Sequence, residues 1–539
     1  MLRRKLFLAG LCLGVAAMLP FQAPAAGAAG VVALQYHFAG AANLADNTNF
    51  AVAKKILTLP SSADFQKLAL DRLADTFWSG LQFDSAGDRA LLRPLLEDLL
   101  RVESVASFGG ASPGRLDFVL AARLDKSRAQ GWERTLAVAL QAKSEPFVDE
   151  GISGTRWNRT ADNAFWMFQA RDWVVIGRGD GLASVRAQYL QELQKNGRPA
   201  PVLNEAWFHA EVDWPQLAAW APLSRSVFKL PRTTTDITAS GGRFHVTSHV
   251  ACAGVQHWEP RPWRIPKDLV HEPLISFTAG QNVEPFLQSD QTLSTLGISP
   301  FTNQFYCWAL GQMPFQTFAA WPVQDGSATL QRISGQLPGT LNPILAAVDH
   351  SQVKWVPTLS QFIWNKSYLM SPSLGSARVA QGDFLLAGLF VPPKQNPPAN
   401  ASLWKQFEDR NDLVYYDWEF TGPRLQQWRV LNSLLPVLPA VPAHANPVAR
   451  SPGAAQKTQP PLAIIDAWLG GMTPLLGNTV TVVTNAPGGQ LIVDRSAQFL
   501  FTGVELVWLS HWLTDTPAGP VDLNLLPRAK ISGPGIPRQ

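Results

Sequence analysis

A strong charge imbalance, long apolar runs and cysteine are all scarce in this chain of 539 residues, and each scarcity excludes something. Lys and Arg total 45 against 41 Asp and Glu. That balance gives no electrostatic reason to expect nucleic acid or an anionic membrane as partner. Beyond the N-terminus no run reaches the roughly 20 apolar residues needed to span a bilayer. The nearest, Phe499 to Leu513, is broken by Glu505 and His511 and reads as a core helix. Cysteine occurs three times, at Cys12, Cys252 and Cys307.

What is present begins with an export signal. Arg3, Arg4 and Lys5 form a positive n-region, and Leu6 to Leu19 an apolar run too short to span comfortably. Pro20 and the small residues Ala23 to Gly30 follow. This order describes a secretory signal peptide over 1–28, cut after Ala28, with Ala25 and Ala26 as alternatives. The flanks of Arg3-Arg4 fit the twin-arginine route poorly, and Leu11 before Cys12 does not fit lipidation. The expectation is an exported protein, periplasmic or extracellular. Losing those three basic residues from 45 leaves 42 against 41, and leaves the pair Cys252 and Cys307. In an oxidising compartment that pair predicts a disulfide. Its loop of roughly 55 residues would contribute about 4 kcal/mol in the chain-entropy model.

Helical periodicity covers 88–101, a buried strand 115–124, and a helix 126–141. Strands near 153–160, 163–170 and 172–177 precede a helix over 181–195, and a strand pair falls at 479–485 and 489–495. The pattern predicts an α+β fold of recurring strand, helix and antiparallel hairpin units, with mixed or antiparallel sheets and no doubly wound parallel sheet. The divisions expected are 29–200, 201–390 and 391–515, followed by a Pro/Gly-rich tail over 516–539. Pro/Ala-rich connections read at 391–401 and 436–461.

An internal repeat links 118–132, 206–220 and 414–428. Each is a strand, a capping residue (Asp125, Asp213, Thr421) and a Trp two helical turns on (Trp132, Trp220, Trp428). The cap oxygen satisfies first-turn N–H groups, and the Trp returns to the sheet-facing side. Residues 273–287 are a fourth candidate copy.

Several motifs suggest chemistry. Gly110-Ala111-Ser112-Pro113-Gly114 matches the nucleophile elbow, but Pro113 has no N–H for an oxyanion hole, so a turn between strands is expected. Gly177-Arg178-Gly179-Asp180-Gly181 lacks the third glycine of a dinucleotide loop, since Leu182 holds that place. His245, His249, Cys252 and His257 have metal-like spacing. On a strand, however, His245 and His249 lie about 13 Å apart, and Cys252 takes the opposite face, aimed at the core. No cofactor and no metal are expected. Twenty Trp, with Trp157, Trp166 and Trp173 around one hairpin, suggest an aromatic platform for sugar or ordinary core packing. Asn158, Asn365 and Asn400 sit in glycosylation sequons.

Asp412-Leu413-Val414-Tyr415-Tyr416-Asp417-Trp418-Glu419 resembles the signature of the chitinase-like family 18 of glycoside hydrolases. The resemblance implies Glu419 as general acid and Asp417 as its partner, about 7 Å apart on one strand face. Tyr415 replaces the inner Asp of that signature, and too little chain follows for the remaining barrel units. The alternative is a repeat strand with Val414, Tyr416, Trp418 and Phe420 buried and both carboxylates solvated. The repeat and this strand also resemble large exported bacterial proteins of unknown function, which implies no activity. The leading expectation is a non-catalytic structural or binding protein at the cell envelope, with an envelope polysaccharide or protein as partner. The alternative is a glycan hydrolase or carbohydrate-binding protein.

Overall fold

The structure, a computed structural model, describes residues 31–43, 48–80, 88–110, 116–160, 163–203, 205–220, 231–252, 261–282, 303–312, 316–348, 351–365, 371–390, 396–434 and 460–514. The expected signal segment 1–28, Ser112 to Gly114, His257, most of the 436–461 connection and the 516–539 tail lie outside them. Two compact units result: Met1–Glu259 with Gly470–Phe501, and Pro260–Leu469 with Thr502–Gln539. A C-terminal hairpin returns to pair with a strand of the first unit.

In the first unit, β1 (Val31–Phe38) leads into helices α1 (Ala51–Leu57), α2 (Pro60–Gly80) and α3 (Arg93–Arg101). Then come β2 (Ser104–Gly110), β3 (Asp117–Arg123) and helix α4 (Lys126–Leu140). Strands β4 (Ser144–Asp149), β5 (Ile152–Asn158), β6 (Ala164–Ala170) and β7 (Trp173–Arg178) form a meander, followed by α5 (Ala183–Asn196). Strand β8 (Phe208–Asp213), helix α6 (Trp214–Trp220), β9 (Arg232–Ser240) and β10 (Arg243–Ala251) complete this stretch. The returning hairpin is β19 (Asn478–Ala486) and β20 (Gln490–Ala497). The order is β4-β5-β6-β7-β3-β2-β1-β8-β9-β10-β20-β19, antiparallel throughout.

The second unit contains β11 (Leu274–Gln281), β12 (Gln304–Leu310), β13 (Thr317–Val323), α7 (Gly326–Ile333) and α8 (Gln336–Val348). The meander β14 (Gln352–Val356), β15 (Gln361–Asn365), β16 (Ser373–Val379) and β17 (Gly382–Gly388) follows, then the short α9 (Ala401–Trp404) and β18 (Leu413–Phe420). Helices α10 (Thr421–Leu434), α11 (Pro460–Met472) and α12 (Gly503–Thr514) come last. Its order is β14-β15-β16-β17-β13-β12-β11-β18, again antiparallel. Strand for strand, this repeats the order from β4 to β8. No parallel doubly wound sheet is present among the described residues.

Alternation sorts each strand between two faces. On β6, Phe165 and Met167 join the core beneath α2, α3 and α4, while Trp166 and Phe168 join the one beneath α5. Trp157 belongs to the first core and Trp173 to the second, and all three hairpin tryptophans are about 1% exposed. They are packing residues and offer no platform to a sugar.

The internal repeat is real in its chemistry but differs in its placement. β8 with α6 and β18 with α10 occupy the same place, each strand pairing with the first strand of its unit. β3 with α4 sits elsewhere, and its topological counterpart is β13 with α7. Asp125 accepts from the amides of Ser127 and Arg128, and Asp325 from that of Ala328 at 2.9 Å. Asp213 accepts from Gln216, whereas the buried Thr421 is already the first residue of α10. Trp132 is buried and donates to Asp98 at 2.9 Å; Trp428 is half-buried beneath the Arg424 guanidinium. Trp220 ends α6, but its side chain is outside the described set. The fourth candidate falls on β11, the counterpart of β1, with no helix directly after it among the described residues.

The expected disulfide is absent: Cys252 and Cys307 are both thiols. Cys307 sits mid-strand with Thr278 and Ala319 as cross-strand neighbours, while the Cys252 amide donates to Gly489 in the β19–β20 turn. Each cysteine is thus framed by residues of its own unit, and an even count alone does not bring two Cα atoms within the roughly 7 Å that a bridge needs.

Candidate functional site

A cleft of about 1400 Å³ lies in the second unit. Its floor is one face of two paired strands: Thr317, Ala319 and Trp321 of β13, with Ala319 opposite Ala387 and Trp321 opposite Leu385 on β17. Trp364 from β15 and Leu389 extend the apolar surface, and Ala328, Thr329 and Arg332 of α7 form a wall. Glycine permits the close approach of that helix: a Cβ on Gly326 would stand 2.6 Å from the Ser376 Cβ.

The floor has a counterpart in the first unit. There the helix after the third strand packs on Leu120, Ala122 and Leu124, in one core with Leu70, Trp78, Leu92, Leu95 and Leu96 of the segment between β1 and β2. In the second unit the helices after the third strand pack on Val323 and Leu385, with Trp321, Trp364 and Ala387 only partly covered. The chain runs from Phe38 to Ser104 between the first two strands of one unit, but only from Gln281 to Gln304 in the other. Among the described residues, no helical layer like α1–α3 stands over the second floor.

The mouth is polar and basic. Arg261, Arg264 and Arg332 line the cleft against a single acidic residue, Asp325, whose carboxylate caps α7. Arg264 is fixed. Its amide donates to Gln304 Oε1 at 3.0 Å, its side chain donates to the carbonyls of Gln381 and Val323, and its guanidinium lies over Phe384. Gly382, at φ +120°, leaves the guanidinium room, since a Cβ there would approach it to 2.2 Å. Gln304 is buried, donates to the Pro262 carbonyl and accepts from the Tyr306 hydroxyl at 2.9 Å. Burial pushes that phenol well above its ordinary range. Nearby, Asp383 is held below the usual carboxylate range by hydrogen bonds from Arg378.

The other sequence candidates are placed differently. Asp417 and Glu419 are 3% and 0% exposed. Thr278 donates to Asp417 at 2.5 Å, and Glu419 accepts from the Gly503 amide at 2.8 Å, at the N-terminus of α12. Neither lines the cleft. The alternation expected on β18 is reversed at its end, with the carboxylates inside, Trp418 half-buried and Phe420 45% exposed.

The glycine-rich turn closes on an internal anion. Asp117, 1% exposed, accepts from the Gly181 amide at 2.9 Å, and Gly179 adopts φ +73° against its carboxylate. Asp180 pairs with Arg156 and Arg186. The Gly181 amide, a donor that would face a phosphate in a dinucleotide loop, therefore faces Asp117, and the Gly179 amide donates to the Ala164 carbonyl.

His245 pairs in register with Thr238 and Ser496, and His249 is exposed. No group of three or more His, Cys, Asp or Glu among the described residues is arranged for a metal. Asn158, Asn365 and Asn400 are exposed, the last as the cap of α9.

Sequence reasoning missed the cleft. Its signals were indirect: the unequal spacing between the first two strands of the units, and two Trp on strands beside a shortened segment.

No protein-family model matches the chain, and no curated protein matches it. A solved structure, crystal form III of TP0453, aligns over 44% of this chain and 79% of its own, at 10% identity and a TM-score of 0.21.

Proposed function

We propose that this chain is an exported, non-catalytic binding protein of the cell envelope, an α+β molecule built on one repeated plan. The second copy serves as the ligand-holding one. The observation that carries the reading is the arginine-rimmed cleft on the floor that helices fill in the first unit. A large, mostly apolar concavity with a few convergent polar groups is the usual form of a small-molecule site. The burial of Asp417 and Glu419, each with a structural partner, favours binding over glycan hydrolysis. Export rests on the N-terminal signal pattern.

The test is a panel of soluble glycans and acyl compounds titrated against the purified protein, read by tryptophan fluorescence and by product analysis. The expected outcome is saturable binding without turnover, weakened at least tenfold in Trp321→Ala. Sugar release abolished by Glu419→Gln would overturn the reading.

A further inference from the structure

We infer that the cleft takes an amphipathic anion: a long acyl chain along the β13–β17 floor, with its acidic head at the arginines of the mouth. The inference rests on the binding reading above and specifies its ligand class.

Shape and lining give the apolar half of the argument. At about 1400 Å³ the cleft exceeds the roughly 300–1,000 Å³ of common ligand sites. Its floor side chains, Thr317, Ala319, Trp321, Leu385, Ala387 and Leu389, carry hydrogen-bonding groups only at the Thr317 hydroxyl and the Trp321 indole. A sugar, with a hydroxyl on nearly every carbon, would leave donors and acceptors unmet along such a wall, at about 1–3 kcal/mol for each buried group. An acyl chain needs only apolar surface, and each CH₂ it buries contributes about 0.8 kcal/mol.

Charge gives the other half. Three arginines face one aspartate at the lining, and that aspartate is engaged as a helix cap. Arg264 is held in place by two carbonyls, by Phe384 and by the absence of a Cβ on Gly382. Arg261 and Arg332 are exposed, and no carboxylate among the described residues pairs with either. A guanidinium fork suits carboxylate and phosphate alike, so the head group is an oxyanion of either kind.

The chain carries its own reporter. Cys307 is half-buried and lies directly across the strand pair from Ala319 of the floor, whereas Cys252 belongs to the first unit. A chain lying on Ala319 shields Cys307 and leaves Cys252 unchanged.

The experiment titrates the protein with sodium hexadecanoate below its aggregation limit, with hexadecan-1-ol as the uncharged twin and a soluble glycan as control. Tryptophan fluorescence gives affinity, and peptide mass spectrometry gives alkylation rates at both cysteines. Hexadecanoate is expected to slow Cys307 alkylation several-fold without affecting Cys252, and to bind at least tenfold tighter than the alcohol. The Arg261→Ala/Arg332→Ala double variant should lose that preference while retaining alcohol binding and the wild-type melting temperature.

Equal affinity for acid and alcohol, unchanged by the arginine substitutions, would overturn the anionic head and leave the binding reading intact. Glycan binding lost in Trp321→Ala, with no acyl binding, would overturn the ligand class alone. If no compound changes Cys307 reactivity or fluorescence, both fail. A parallel arm with phosphatidylglycerol vesicles distinguishes sources: lipid transferred to the protein assigns a phospholipid, and binding of hexadecanoate alone assigns a free fatty acid.

Discussion

Glu419 shows how much a single residue depends on what is packed above it. Its carboxylate accepts the first amide of α12, where a negative charge also meets the positive end of the helix dipole. At the start of α12, Thr502 just before the helix and Glu505 exchange hydrogen bonds in a capping box, so two acidic side chains serve one helix start. Glu419→Ala is expected to destabilise the protein by about 1–3 kcal/mol, the cost of leaving a buried donor unmet. Glu419→Gln, which keeps an acceptor oxygen, should recover part of that loss, and urea unfolding measures both. The buried tyrosines of the first unit give a second residue-scale prediction. Burial pushes Tyr36 and Tyr189 from 10 up to about 12, with the Tyr189 hydroxyl 3.1 Å from Ser107 Oγ. A raised folded-state pKa stabilises the fold fully below the unfolded value, so stability should hold to pH 10 and fall as pH rises through about 12. Tyrosinate absorbance and circular dichroism, followed together, check that the phenols ionise only as the fold opens.

At the scale of elements, strand type and helix starts follow from local chemistry. Strands were expected at 153–160, 163–170 and 172–177, and β5, β6 and β7 fall within two residues of those limits. A cap of one residue suffices to begin α4, because its oxygen replaces water at two amides. The equivalent cap on α7, Asp325, matters twice, since that helix also walls the cleft. Asp325→Ala should cost about 1 kcal/mol of stability, measurable as a shift in the denaturation midpoint. The same substitution removes the one acidic residue that lines the cleft among the described residues and should strengthen anion binding. Asp125 gives the pH counterpart. Its carboxyl is held below 3.8 chiefly by the Arg128 amide, so its contribution is complete above the ordinary carboxylate range and is lost as pH falls through the depressed value. The repeat was legible at this scale, but its position was not. A strand, cap and helix recur wherever a helix must leave a sheet, so 118–132 resembled 414–428 without sharing its place.

At the scale of the whole molecule, the two units use one strand order with different coverings. A large segment between β1 and β2 supplies the helices over one floor, and its counterpart in the second unit lines a cleft with no such helical layer among the described residues. The thiols belong to this scale as well, because a disulfide depends on where distant segments meet. Denatured protein expressed without residues 1–28 should titrate two thiols without prior reduction. Its mass should be the same with and without reductant, and its melting temperature should not change when reductant is added. A mass difference of one disulfide would contradict the structure.

The sequence alone determined what is local: the strand and helix periods, the Asp125 cap, the glycine turn before α5, the strand pair now seen as β19 and β20, and a mixture of helices and strands without a doubly wound parallel sheet. Alternation states which residues share a face, because side chains of a strand point to opposite sides in turn. It does not state which face is buried, and here both are. Val414 and Tyr416 face the aromatic side with Phe407, while Asp417 and Glu419 lie beneath other elements, joined to Thr278 and Gly503. Only the tertiary structure decided that these carboxylates are sealed, that three tryptophans are core, that Cys252 and Cys307 form no disulfide, and that no helical layer among the described residues covers the second floor. Each of these depends on what a distant segment covers, and coverage is a property of packing that no local spacing records.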